Sequence, residues 1–211
     1  MPKTPRFDRN AKTTATPNAA QSFAPHRYRL TVEKYYRLGE MAIFNEDSRV
    51  ELIEGDLIAM PPIGERHAGK TRQLNRLFSA RVGAAALVEV QNPVALDRHS
   101  EPQPDLALLK PRPDFYESGH PQPEDVLLLL EISDSTLRYD RDIKVPLYAR
   151  AGIPEVWLLD LPGQRLEVYR RPSAEGYREI LYPAPDEIIA PVLLPEMVLL
   201  VNSLLQVPER L

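Results

Sequence analysis

The chain has 211 residues, 43% of them hydrophobic, enough for one substantial core, and no cysteine, which excludes disulfides and thiolate-bound zinc. A net charge of −4 argues against a nonspecific nucleic-acid coat, whose affinity comes from neutralising phosphates, although a local basic face is still allowed. No apolar run reaches the roughly 18 residues that span a bilayer and no apolar secretory segment opens the chain, so the expectation is a cytoplasmic protein.

Residues 1 to 26 mix Lys, Arg, Thr, Pro, Asn, Gln and Ala with few large apolar side chains and read as a disordered, solvated tail. Its basic residues are Lys3, Arg6, Arg9 and Lys12. Residues 27 to 211 are expected to form a single domain. Thr31 reads as the N-cap of a short helix, VEKYYRLGEMA, with Tyr35, Leu38 and Met41 on one packing face. In RVELIEGDLIAM, apolar and polar residues alternate on either side of Glu54 and Gly55, which predicts a tight hairpin. Next, ERHAGKTRQLNRLFSARV puts Leu74, Leu77 and Phe78 on one helical stripe. Its polar surface carries Arg66, Lys70, Arg72, Arg76 and Arg81 against Glu65 alone, making it the candidate phosphate-facing surface in an acidic chain. The plain alternative is a solvated cationic face.

ALVEVQNPVAL reads as a strand that Pro93 assigns to an edge or a bulge. A Pro104-Asp105 step then opens the short strand LALL. The proline-rich stretch from Lys110 to Asp125 is long for a connection and reads as a surface loop beside the site. VLLLLEIS, ending on Glu131, fits a strand buried on both faces. After a polar break a helix is expected from near Tyr139 or Asp140 to Ala151, with Gly152 ending it and Pro146 either kinking it or marking its first turn. EVWLLD, RLEVYRR and YREILYP then form an antiparallel meander turning at Pro162 and Gly163, and a short apolar helix lies around Val201 to Leu205.

An acid closing a run of five apolar residues needs a partner, because an unpaired buried carboxylate is costly. Asp105 and Glu131, with the carbonyl of Ile132 as a third oxygen, suit a hard divalent cation that completes its shell with water and phosphate oxygens. Lys144 in the following helix would orient a water or neutralise developing charge. Read singly, Asp105 pairs with a surface base and Lys144 is an exposed helix lysine. Asp134 and Asp140 read as turn and helix-cap residues and Tyr148 as a core tyrosine.

Taken together, ELIEGDLIAMPP, His67, QPDLAL and LLLEISDSTLRYDRDIKVPLYARAGIPEVWLLD resemble the Uma family of restriction-endonuclease-like proteins in the PD-(D/E)XK nuclease superfamily, over about Tyr28 to Val168. The last block is the most specific, since a Pro-Asp step alone is weak evidence. The resemblance implies an α/β (α+β) fold, a restriction-endonuclease-like mixed central β-sheet flanked by helices, with a Mg2+ or Mn2+ site that cuts DNA. It makes Asp105 the first acid and Glu131 the second. It puts Ser133 where the superfamily has its lysine and leaves Lys144 as the candidate replacement. Glu51 becomes the early acid, with Glu54 competing, and His67 an accessory residue or a packing histidine. A homodimer follows by analogy, with the meander after Trp157 as interface. Two other readings fit the same residues: a nuclease-fold module that only binds nucleic acid or a protein, and a metal-dependent phosphatase or nucleotide hydrolase.

Overall fold

The computed structural model describes residues 27–44 and 48–206. The tail reading and its four basic residues lie outside them. A six-stranded sheet runs in chain order: β3 (Leu87–Val90), β4 (Leu106–Leu109), β5 (Val126–Ser133), β6 (Glu155–Asp160), β7 (Arg165–Ser173) and β8 (Gly176–Leu181). All neighbours are antiparallel except β5 and β6. A parallel pair needs a crossover, and the helix between those two strands supplies it. A separate hairpin, β1 (Val50–Ile53) with β2 (Asp56–Ala59), is tied to the body where Leu52 bridges Glu101. Among the described residues no helix is long and apolar enough to cross a membrane.

The sheet is covered on both faces, which is why β5 and β6 are buried at every position. Because successive strand residues point to opposite faces, Leu128, Leu130 and Ile132 join one core with Leu74 and Phe78 of α2 (Glu65–Val82) and Leu204 of α5 (Val201–Leu205). Leu129 faces the other way and packs with Val145, Leu147 and Tyr148 of the crossover helix. Glu131 therefore emerges among apolar side chains on that second face. The hairpin turn is as expected: Glu54 and Gly55 both have positive φ, and a Cβ on Gly55 would lie 2.5 Å from Cβ of Arg29. Thr31 caps α1 (Val32–Glu40) through Lys34 N–H, but Met41 at its end is exposed rather than packed.

Four expectations need correcting. The strand expected through Leu96 stops at Val90, because Gln91 turns left-handed with φ 53 and Pro93 follows; β3 is indeed an edge. The Lys110–Asp125 loop joins the end of β4 to the start of β5, whereas Asp105 and Glu131 lie near the start of β4 and the end of β5. The loop is thus at the opposite end of the sheet from those acids. The crossover helix begins at Leu137, two or three residues ahead of a start near Tyr139 or Asp140. It runs as α3 (Leu137–Tyr139), a π turn (Asp140–Lys144) and α4 (Val145–Arg150). The wide π turn accommodates Pro146, at the first turn of α4, whose ring would press on a preceding carbonyl in a continuous α-helix.

The last correction is Lys70, which does not face phosphate. Its buried ammonium donates to the carbonyls of Leu204, Leu205 and Gln206 and to Gln73, ending α5, and burial pulls its pKa down to about 8. Lys70→Met leaves those carbonyls unpaired. The expected loss is about 2 kcal/mol, read as a fall of roughly 4–8 °C in Tm.

Candidate active site

The candidate site is a cavity of about 150 Å³ at the mouth formed by the hairpin, the N-terminal turns of α2, the start of β4, the end of β5 and the π turn. Four buried carboxyl groups face it: Glu51, Asp105, Glu131 and Asp140. Each arrives from a different element. Asp105 and Glu131 are brought together because the β4–β5 ladder ends at Leu106 and Leu130, one residue short of both.

Asp105 is held by donors on both oxygens. Oδ2 accepts the Ile132 N–H at 2.8 Å, and Oδ1 lies 2.7 Å from His67 Nε2 and accepts from Gln91 Nε2 at 3.1 Å. Burial opposes its charge, yet His67, Lys144 and the Ile132 N–H outweigh burial and lower its pKa. His67 moves the other way. Burial disfavours its cation, but the hydrogen bond and charge of Asp105 raise it above the ordinary histidine value.

Glu131 meets the side chains of the crossover helix. Lys144 Nζ stands 2.8 Å from its Oε1, and the Tyr148 hydroxyl donates to the same oxygen at 2.5 Å. Lys144 and Tyr148 are four residues apart and so share a helical face. Lys144 also reaches Glu51 Oε1 at 3.4 Å and the Gln103 carbonyl at 3.4 Å. Burial pushes the Glu131 carboxyl up to about 8; Lys144 pulls it down, while Asp140, Asp105 and Glu51 add to the rise. The Lys144 ammonium, although burial works against it, is held well above the usual lysine range by Glu131, Tyr148 and Glu51.

Sequence reasoning missed Asp140 as part of this group. It is not an exposed helix cap. It is buried in the π turn, accepting from Ser133 Oγ at 2.7 Å and Thr136 Oγ1 at 2.6 Å. Ser133 thus anchors a further acid. Tyr148 is buried as expected of a core tyrosine, and it also holds Glu131. Arg49 lines the cavity beside Glu51, with its Nη1 on the Pro61 carbonyl. No pattern marked it in the sequence. The spacing of Asp140 and Lys144, four apart, was the available signal for a shared face.

Of the two competing early acids, Glu51 is in the cluster and Glu54 is not. Glu54 sits on the hairpin turn with Arg150 at 2.9 Å. Arg66 pairs with Asp134 at 3.4 Å and donates to the Leu161 carbonyl at 2.7 Å, close to the cavity, while Arg72 and Arg76 are exposed further along α2. The Ile132 carbonyl faces the Asp105 side. Ser133 O accepts from Leu161 N on the β6 side, and alternation turns the backbone of Ile132 toward β4, as its own N–H confirms.

Among the described residues no three His, Asp or Glu side chains are grouped tightly enough to hold a metal ion by themselves. The donor set still fits an oxygen-seeking divalent ion, which takes one or two carboxylates and leaves the rest of its shell to water and substrate. Asp105, Glu131 and the Ile132 carbonyl would hold it. Glu51 Oε2 supports the fit, being buried without a hydrogen-bond partner.

The family described as "Uma2: Putative restriction endonuclease" matches residues 32–202. The chain belongs to the Uma2 family. A solved structure described as a "putative nuclease belonging to DUF820", from Anabaena variabilis ATCC 29413, superposes with a TM-score of 0.64 at 19% identity, covering 83% of this chain and 97% of its own. That likeness shows the fold: the mixed central sheet flanked by helices is shared with that structure. No curated protein matches the chain. The Uma2 match spans every element that contributes to the cavity, from the hairpin to the crossover helix.

Proposed function

We propose that this Uma2 protein is a Mg2+- or Mn2+-dependent endonuclease that hydrolyses DNA phosphodiester bonds. The observation that carries the reading is the convergence of Asp105 and Glu131 with Glu51 and Lys144 in one cavity. Asp105, Glu131 and the Ile132 carbonyl would hold the divalent ion, which when bound would supply Lewis acidity toward a phosphoryl oxygen and lower the pKa of a water. The chain's own groups do the rest. His67, Gln91 and the Ile132 N–H lock the Asp105 carboxylate in place, and Tyr148 fixes that of Glu131. Lys144, positively charged and within reach of Glu51 and Glu131, orients a water or offsets charge that develops on phosphate.

Arg49 and Arg66 at the mouth meet the strand. Arg72 and Arg76 extend the cationic line along α2, about 7.5 and 13.5 Å beyond His67 at 1.5 Å per residue. A homodimer belongs to the same reading, because β8 is an open sheet edge in the meander and a second site would serve the second strand.

The test is nicking of supercoiled plasmid by purified protein with magnesium or manganese, stopped by EDTA. No cleavage of supercoiled, linear or single-stranded DNA under either ion rejects the assignment. The alternative, a nuclease-fold module that binds without cutting, draws on one observation: Lys144 already sits as a counter-ion between two of the acids. Calorimetric titration with manganese separates the two, since heat that disappears in Glu131→Gln supports the enzyme. Tyr148→Phe, which strips Glu131 of its neutral donor, is expected to lower metal-dependent cleavage roughly tenfold with the fold retained, as for residues that orient a metal ligand.

A further inference from the structure

Beside the acid cavity lies a second one of about 610 Å³, and the two share Met60, Pro61, Ser135 and Thr136 in their walls. Its own lining is more apolar than the first: Ile58 and Ala59 from β2, and Tyr139 and Ile143 from the crossover helix, with Arg138 and Asp142 as its charged members. Ile143 is 44% exposed although it neighbours the buried Lys144, and Arg138 stands at the rim with its guanidinium almost wholly in solvent, loosely paired with Asp142 at 3.5 Å. The Tyr139 hydroxyl is buried, so Tyr139 meets this cavity with its ring rather than with its oxygen.

We propose that this second cavity is a base-binding subsite, taking an unstacked nucleobase next to the phosphate held at the acid cavity. The inference rests on the nuclease reading for its neighbour and adds the substrate class: single-stranded or locally opened DNA rather than uniform duplex. Three features point to a base rather than another apolar ligand. The volume lies in the range of small-ligand sites and the lining is mostly apolar, with one aromatic ring and a minority of polar side chains, as flat heterocycles require. The pocket is continuous with the phosphate site through a shared wall, so a nucleotide whose phosphate lies at Asp105 and Glu131 has its base at this opening. Arginines flank the pair of cavities, Arg49 on the acid side and Arg138 on the apolar side, as successive phosphates on either side of one nucleoside demand. A base inside a duplex is paired and stacked and cannot enter without being extruded.

The test measures binding by fluorescence anisotropy, with calcium as an oxygen-liganded ion, to three oligonucleotides: a single strand, its duplex, and the same single strand with abasic positions. The abasic strand keeps its phosphates and loses only bases. The expected result is tighter binding of the intact single strand than of the abasic strand or the duplex, by about tenfold, the equivalent of one stacked base. Ala59→Trp fills the pocket from an exposed strand end, and Ile143→Asp places a charge in it; each should erase the difference while leaving Tm near the wild-type value. Equal affinity for intact and abasic strands, or a difference that survives both substitutions, overturns the subsite. Absence of cleavage under magnesium and manganese, with the base-dependent binding intact, rejects the nuclease reading and leaves the subsite standing.

Discussion

Glu131→Gln is expected to abolish magnesium-dependent plasmid nicking, with a loss of at least about a thousandfold. An ion's Lewis acidity is worth several kcal/mol at the transition state and each 1.36 kcal/mol is tenfold in rate. The substitution is close to isosteric. Both donors to Glu131, Lys144 and Tyr148, act on Oε1, and an amide oxygen accepts from either, so the fold is kept while the charge is lost. Asp105→Asn should match it in activity but not in stability. One amide oxygen can still accept the Ile132 N–H, but the amide nitrogen then confronts His67 and Gln91, which both donate to the carboxylate. A cost of about 1–3 kcal/mol follows from those unmatched donors. Glu51→Gln should reduce cleavage, and Glu54→Gln, out on the hairpin turn with Arg150, should leave it near wild type. Undiminished cutting by both Glu131→Gln and Asp105→Asn would sink the assignment of the site.

The sequence carried those two acids because each stands at the border of an apolar run, where a charge has no packing reason to be. The hairpin, the buried β5 and β6 and the short C-terminal helix were legible on the same ground, since period-two alternation or unbroken apolarity fixes which faces are covered. Less legible was everything that depends on pairing at a distance. Lys70 lies on a polar helix stripe and nothing near it reveals that α5, more than 130 residues later, ends over its ammonium. Asp140 reads as a cap because a carboxylate near a helix start usually is one. Only the π turn rotates it inward to Ser133 and Thr136. Arg49 sits in the cavity by virtue of the hairpin's docking through Leu52 and Glu101, a contact between segments that no local pattern encodes. The lysine question had the opposite outcome. The empty lysine place at Ser133 was visible in the chain, and the helix does bring Lys144 back to within 2.8 Å of Glu131.

Cleavage at subsaturating manganese is expected to climb with pH up to about 8 and to level off above it. Burial among Asp140, Asp105 and Glu51 holds the Glu131 carboxyl at about 8 in the folded chain, against an ordinary glutamate value near 4.3. The ligand form is the carboxylate, so below pH 8 the fraction ready to bind falls tenfold per unit. From pH 6 to pH 8 the rate should rise roughly fiftyfold. Stability runs the other way. An acid raised in the folded state favours folding fully below its unfolded pKa, and that contribution is lost as pH climbs from about 4.3 through about 8. The metal-free protein should therefore lose Tm across this window, and manganese should restore it by stabilising the ionised form. Raising manganese from subsaturating to about ten times its Kd should move the midpoint of the activity profile down by about one pH unit, since ion and proton compete for one carboxylate. His67, also raised from its usual value, is the other group able to titrate here. In His67→Gln the rise should persist with its midpoint near 8 if Glu131 governs it. A profile that flattens in His67→Gln and stays put in added manganese would assign the titration to the histidine instead.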